Sequence, residues 1–75
     1  MASLPVVSGQ EAVRAFQKGG WVIARQRGSH IIMTKIGSIT ALSVPNHSSL
    51  KRGLLRSLIR QAGITVDQFV GLLEG

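Results

Sequence analysis

The stretch Trp21-Val22-Ile23-Ala24-Arg25-Gln26-Arg27-Gly28-Ser29-His30-Ile31-Ile32-Met33-Thr34-Lys35 carries β-branched and apolar residues on both sides of a Gly-Ser pair. Branched and aromatic side chains suit a pleated backbone, and glycine supplies the conformations that reverse a chain. Gly28, and further on Gly37-Ser38, therefore divide the region into three short strands, at about 21–26, 30–35 and 39–44. The connections are too short for parallel crossovers, which need a dozen or more residues, so the strands form an antiparallel meander. In the second strand His30, Ile32 and Thr34 share one side, and Ile31, Met33 and Lys35 the other. Neither face is clearly polar. With one face against helices, the other would expose more apolar surface than a free monomer usually does, which leads to the expectation of a protein partner or a second copy of the chain.

Working outward, Ser8-Gly9-Gln10-Glu11 is a capping box that opens a helix at about 9–18. Ala12, Val13 and Phe16 lie on its apolar face, and Gly19-Gly20 close it. Pro45 ends the third strand. A second helix is predicted from about Leu50 to Ala62, with Gly63 behind it. On a helical wheel Leu54, Leu55, Leu58, Ile59 and Ala62 form its apolar side, whereas Arg52, Arg56 and Arg60 fall at i, i+4, i+8 in a basic stripe. With no acids interleaved, like charges at this spacing repel slightly, a cost that phosphates or carboxylates would relieve. The plainer reading is a solvated face. Thr65-Val66-Asp67-Gln68 is a second capping box, opening a last helix that docks Phe69, Leu72 and Leu73 on the core. The order is αβββαα, an α+β domain spanning residues 1–75 without repeat, linker or low-complexity segment.

The 75 residues contain nine Lys and Arg against three Asp and Glu, a formal net charge of +6. The expected partner is polyanionic: RNA, DNA or an acidic protein surface. Absence of cysteine excludes a disulfide framework and gives no reason to invoke an oxidising compartment. The N-terminal Met-Ala-Ser-Leu-Pro-Val-Val lacks the basic and long apolar regions of a signal peptide, and no apolar run approaches the ~20 residues of a membrane span. The cations are not gathered on one amphipathic helix of the kind that lies on lipid. A soluble, cytoplasmic protein without membrane association is expected.

Few residues can carry chemistry. Glu11, Asp67 and Glu74 sit at helix caps or near the C-terminus and do not suggest a carboxylate pair. His30 and His47 are far apart in sequence with no acid or thiol nearby, so no metal site is expected. The nucleotide-binding pattern G-x-x-x-x-G-K-[ST] is missing. What remains is chemistry that an imidazole and cations perform unaided, and cleavage of RNA by its own 2′-hydroxyl fits. The substrate supplies the nucleophile. The protein must move a proton and stabilise charge at phosphorus. His30 follows a glycine turn at the start of a strand, where the backbone can approach a phosphate. By pattern alone such a histidine is more often a partly exposed polar residue. His47, in the loop after Val44-Pro45-Asn46, has a structural hydrogen bond or plain solvation as its expected role.

Gly20-Trp21, the run Arg25 to His30, Val44-Pro45 followed by His47, and Gly53 to Ile64 together resemble the HicA-type toxins, small mRNA interferases of bacterial and archaeal toxin–antitoxin pairs. The similarity covers nearly the whole chain, and the order and spacing of these segments are the family's. The Gly-Ser-His triplet alone would be weak; joined to Val-Pro…His and the Arg-Gln-Ala-Gly helix end it is fairly specific. The resemblance implies a fold like a double-stranded-RNA-binding domain, with a three-stranded antiparallel sheet and helices on one face. It implies that His30 is the catalytic histidine of a metal-independent endoribonuclease needing no cofactor. It further implies single-stranded mRNA as substrate and a HicB-type antitoxin that covers His30. Arg25, Arg27, Ser29, Lys35, Lys51, Arg52, Arg56 and Arg60 are the candidate RNA-binding residues. Two positions depart from the common pattern: Ile31, where many relatives carry a second histidine or another polar residue, and Leu54, where threonine is common. Two other readings stand beside this one. In the first, the same fold and charge serve a non-catalytic RNA-binding module. In the second, the charge serves an acidic protein partner. Trp21, Phe16 and Phe69 occupy core-like positions, so none is free to stack a base.

Overall fold

A computed structural model describes residues 3–75. The elements run α1 (Gly9–Lys18), β1 (Val22–Arg27), β2 (His30–Thr34), β3 (Leu42–Pro45), α2 (Arg52–Gln61) and α3 (Val66–Glu74). The strands form one sheet in the order β1-β2-β3, antiparallel throughout. The expected α+β architecture and element order are both present.

The core is built from one face of the sheet and the apolar sides of the helices. Ile31 and Met33 of β2 and Leu42 and Val44 of β3 are buried with Ala12, Val13, Ala15 and Phe16 of α1, Leu55, Leu58 and Ile59 of α2, and Phe69 of α3. Phe16 and Phe69 meet with ring centroids 5.1 Å apart and planes tilted by 48°, within the range favoured by the ring quadrupoles. Trp21 is buried too, so all three aromatic residues serve packing. Helices therefore cover one side of the sheet, and the side bearing His30 and Ile32 is open.

Both predicted capping boxes are formed. Ser8 Oγ accepts from the Glu11 N–H at 3.1 Å, and the Ser8 N–H donates to Glu11 Oε1 at 2.9 Å. Thr65 and Gln68 repeat the arrangement at 3.1 and 2.8 Å. A Cβ at Gly9 would collide with the Pro45 carbonyl oxygen, so the start of α1 lies directly against the end of β3. The Gly9 N–H donates to the His47 carbonyl at 2.8 Å, and Gln10 Nε2 to Asn46 Oδ1 at 2.9 Å.

The element ends differ from the sequence expectation for local reasons. The Trp21 N–H donates to the Phe16 carbonyl, closing α1, and the first strand starts one residue later. The third strand begins at Leu42 rather than near 39. Ser38 donates its N–H to the Lys35 carbonyl, and its hydroxyl bonds both the N–H and the carbonyl of Thr40. This turn occupies backbone groups that a strand would need, and it leaves Ile36 and Ile39 fully exposed. The second helix begins at Arg52 because the backbone is still extended at Lys51, with ψ 140°, and the Leu50 N–H just before it donates to the Val7 carbonyl at 2.8 Å. Leu50 instead occupies the position before the cap, and it and Leu55 are both buried, as in a hydrophobic staple. Leu54, placed by the wheel on the apolar side, is 37% exposed at the edge of that face. Among the described residues no helix is long and apolar enough to cross a membrane.

Candidate functional site

His30 opens β2 after the two-residue turn Gly28-Ser29. Gly28 has φ 59°, and among the described residues every positive φ belongs to a glycine. A positive φ confined to the first turn position matches a type II′ hairpin, whose twist suits the flanking strands. Ser29 acts through its backbone: its carbonyl accepts from the Asn46 N–H at 2.6 Å, tying the hairpin turn to the loop after β3. Gln26 Nε2 donates to the Gly28 carbonyl at 3.1 Å and braces the turn from the other side.

Register decides which side chains accompany His30. Residues directly opposite one another in an antiparallel pair project from the same face. Arg27 is opposite His30 and Arg25 opposite Ile32, so both arginines share the open face with the imidazole. This depends on an irregularity between Ile23 and Arg25: Ile23 pairs with Met33 and Arg25 with Ile32, leaving Ala24 as an extra residue. Strict alternation from Ile23, on the helix face with Met33, would have turned Arg25 and Arg27 toward the helices. The bulge re-aims them, as bulges beside functional surfaces do. The open face thus carries both arginines together with exposed Val22, opposite Thr34, and half-buried Ile32, so it is mixed rather than clearly polar, as alternation predicts. The largest apolar exposures lie beyond it, in the β2–β3 loop, at Ile36 and Ile39.

A further neighbour comes from β3. Ser43, opposite Ile32, shares the open face, and its Oγ lies 3.2 Å from His30 Nδ1. Nothing in the sequence singled Ser43 out. His30 and Ser43 are both exposed, so with Nδ1 on Ser43 the second ring nitrogen of His30 is open to a ligand.

The remaining candidates are distributed elsewhere. Lys35 follows β2 at the end opposite His30, about 17 Å along the strand at ~3.3 Å per residue, and its half-buried chain lies over Gly20. It does not join the His30 cluster. Arg52, Arg56 and Arg60 are exposed on α2, whose Leu55, Leu58 and Ile59 face the core. Together with exposed Lys51 they form a second basic surface, on the helical layer rather than on the strand face. His47 is exposed, and its carbonyl anchors Gly9. No three His, Cys, Asp or Glu side chains gather into a cluster among the described residues.

Chemically, the open face offers one imidazole between two guanidinium groups and a hydroxyl. It can transfer a proton while flanking cations hold a phosphodiester and share the charge that develops on it.

A family profile described as the HicA toxin of bacterial toxin-antitoxin matches residues 9–64. A solved structure described as a toxin-antitoxin complex from Streptococcus pneumoniae superposes with a TM-score of 0.70 at 30% identity, over 77% of this chain and 98% of that one. No curated protein matches significantly.

Proposed function

This chain belongs to the HicA toxin family, and from that premise we propose that it is the toxin of a toxin–antitoxin pair, a metal-independent endoribonuclease that cuts mRNA and is held inactive by a HicB-type antitoxin. The observation that supports this most directly is the bulged register, which sets Arg25 and Arg27 on the same strand face as His30. In the proposed reaction a phosphodiester lies across that face against the two arginines. His30 takes the proton from the 2′-hydroxyl as the 2′-oxygen bonds to phosphorus. The bond from phosphorus to the 5′-oxygen breaks, water protonates the departing oxygen, and the products are a 2′,3′-cyclic phosphate and a 5′-hydroxyl. Arg25 and Arg27 offset the extra negative charge of the transition state, the contribution that preorganised cations make most effectively. The nucleophile belongs to the substrate, so neither a protein nucleophile nor a cofactor is required.

The test compares wild type with His30→Ala on a long RNA in the presence of a chelator. A positioned acid–base group contributes roughly 10²- to 10⁴-fold, so cleavage should fall by that factor. The variant should keep its circular dichroism spectrum and most of its RNA affinity, because His30 is exposed and adds nothing to the core. Undiminished cutting by the variant would remove His30 from the mechanism. Loss of wild-type cutting in chelator would assign the chemistry to a metal. Binding without cleavage by wild type would favour an RNA-binding module on the same fold.

A further inference from the structure

The acid–base reading leaves unexplained how an exposed histidine at the first position of a strand keeps a productive ring orientation. An unrestrained imidazole samples several rotamers, and in its neutral form the proton can sit on either nitrogen. The residue directly opposite His30 is Pro45, which has no polar side chain to hold the ring. The hydroxyl on the same face comes from the diagonal position, Ser43, with its Oγ 3.2 Å from Nδ1. Diagonal neighbours on an antiparallel pair lie within reach of long or aromatic side chains.

We propose that Ser43 is a positioning residue for His30: it accepts the Nδ1–H, fixes the ring, and so leaves Nε2 unprotonated and facing outward as the base. The proposal rests on His30 being the group that moves the proton, and it names what makes that group competent.

Ser43 is well placed for this role. Its neighbours in the strand, Leu42 and Val44, are both fully buried, so the hydroxyl is presented from a rigid segment rather than a loop. The other end of the arrangement is also held, since the Asn46 N–H fixes the Ser29 carbonyl immediately before His30 at 2.6 Å. The strand backbone and the ring contact thus restrain the histidine together. A serine hydroxyl accepts from the neutral ring and continues to accept once the ring is charged, so the contact survives the proton transfer it supports. Ser43 itself touches neither the 2′-oxygen nor phosphorus in this scheme.

The experiment compares Ser43→Ala and Ser43→Thr with wild type by steady-state RNA cleavage and by long-range proton–nitrogen NMR of the His30 ring. Loss of a single neutral hydrogen bond corresponds to about tenfold, so Ser43→Ala should lower kcat about tenfold with KM nearly unchanged. Its ring nitrogens should move from the Nδ1–H pattern toward the Nε2–H pattern. Ser43→Thr, which keeps the hydroxyl on a residue suited to strands, should restore both kcat and the wild-type ring pattern. Wild-type kcat in Ser43→Ala would overturn the proposal, as would an unchanged ring pattern. Equal loss in the alanine and threonine variants would overturn it too, by assigning the effect to strand packing. If wild type itself fails to cut RNA, the reaction assigned to His30 fails. The ring spectra then still decide whether Ser43 holds the imidazole.

Discussion

At the scale of single residues, the tightest constraint on the site is Gly9, which is remote from His30 in sequence. It admits the Pro45 carbonyl where any Cβ would collide, and Pro45 is the cross-strand partner of His30. Gly9→Ala must therefore push α1 away from the end of β3. Overpacking of this kind costs about 1–3 kcal/mol, which for a domain of this size lowers Tm on the order of 10 °C. Thermal denaturation measures this, and an unchanged Tm would mean that the loop yields without strain. Glu11 makes a second residue-scale contribution, one that depends on pH. The Ser8 N–H, then the Ser8 hydroxyl, hold its carboxyl below the usual value of 4.5. A group whose folded pKa is depressed stabilises above its unfolded pKa and loses that contribution as pH falls through the folded value. Glu11→Gln should thus be less stable than wild type at neutral pH, and the gap should narrow as pH falls below the usual 4.5 and through the depressed folded value. A gap independent of pH would show that the carboxylate charge plays no part in the cap.

At the scale of elements, the protein carries two basic surfaces that sequence could not separate. Arg25 and Arg27 project beside His30 from β1, while Arg52, Arg56 and Arg60 line the outside of α2. In the proposed reaction the first group shares the strand face of His30 and is placed to stabilise charge at phosphorus, whereas the second lies on the helical layer and is placed to hold RNA elsewhere along its length. Replacing Arg25 and Arg27 by Gln should lower kcat. Replacing the α2 triplet by Gln should weaken RNA affinity with kcat at saturation preserved, and should flatten the salt dependence by roughly 0.7 in log–log slope per lost single-strand contact. An unaltered slope would free the α2 stripe for another task, with antitoxin docking the first alternative. The starts of α1 and α3 were legible because caps are local: Ser8…Glu11 and Thr65…Gln68 each carry their signal within four residues, whereas α2, without a side-chain cap, gave no such mark. The hairpin turn was legible from Gly28, and the core from Phe16, Trp21 and Phe69. The bulge was not, because an extra residue in a strand leaves no compositional mark and shows only once both strands are paired. For the same reason the sequence grouped Lys35 with the other candidates and passed over Ser43. Whether a residue lies beside His30 is a property of register between segments, and register is set by long-range packing of Ile31, Met33, Leu42 and Val44.

At the scale of the whole molecule, a small domain with net charge +6 exposes its basic strand face and its one candidate base to solvent at the same time. A surface of that kind attracts any accessible polyanion at rates raised by its field, so the proposed activity calls for a covering partner to restrain it. Inducing the protein alone in a bacterial host should accordingly arrest growth and deplete mRNA. Co-expression of a HicB-type partner should restore growth by covering His30 and compensating Arg25 and Arg27. A partner that binds only the folded chain also stabilises it by mass action, by about 2.7 kcal/mol at 100 times its dissociation constant, so the complex should melt well above the free protein. His30→Ala separates the two effects. It should be harmless when expressed alone yet should still bind the partner and gain the same stabilisation, because trimming one exposed side chain removes little of a protein interface. Growth arrest by soluble His30→Ala would show that harm arises from RNA binding rather than cleavage. Normal growth and intact mRNA on strong expression of soluble wild type would leave the basic face as a binding surface alone.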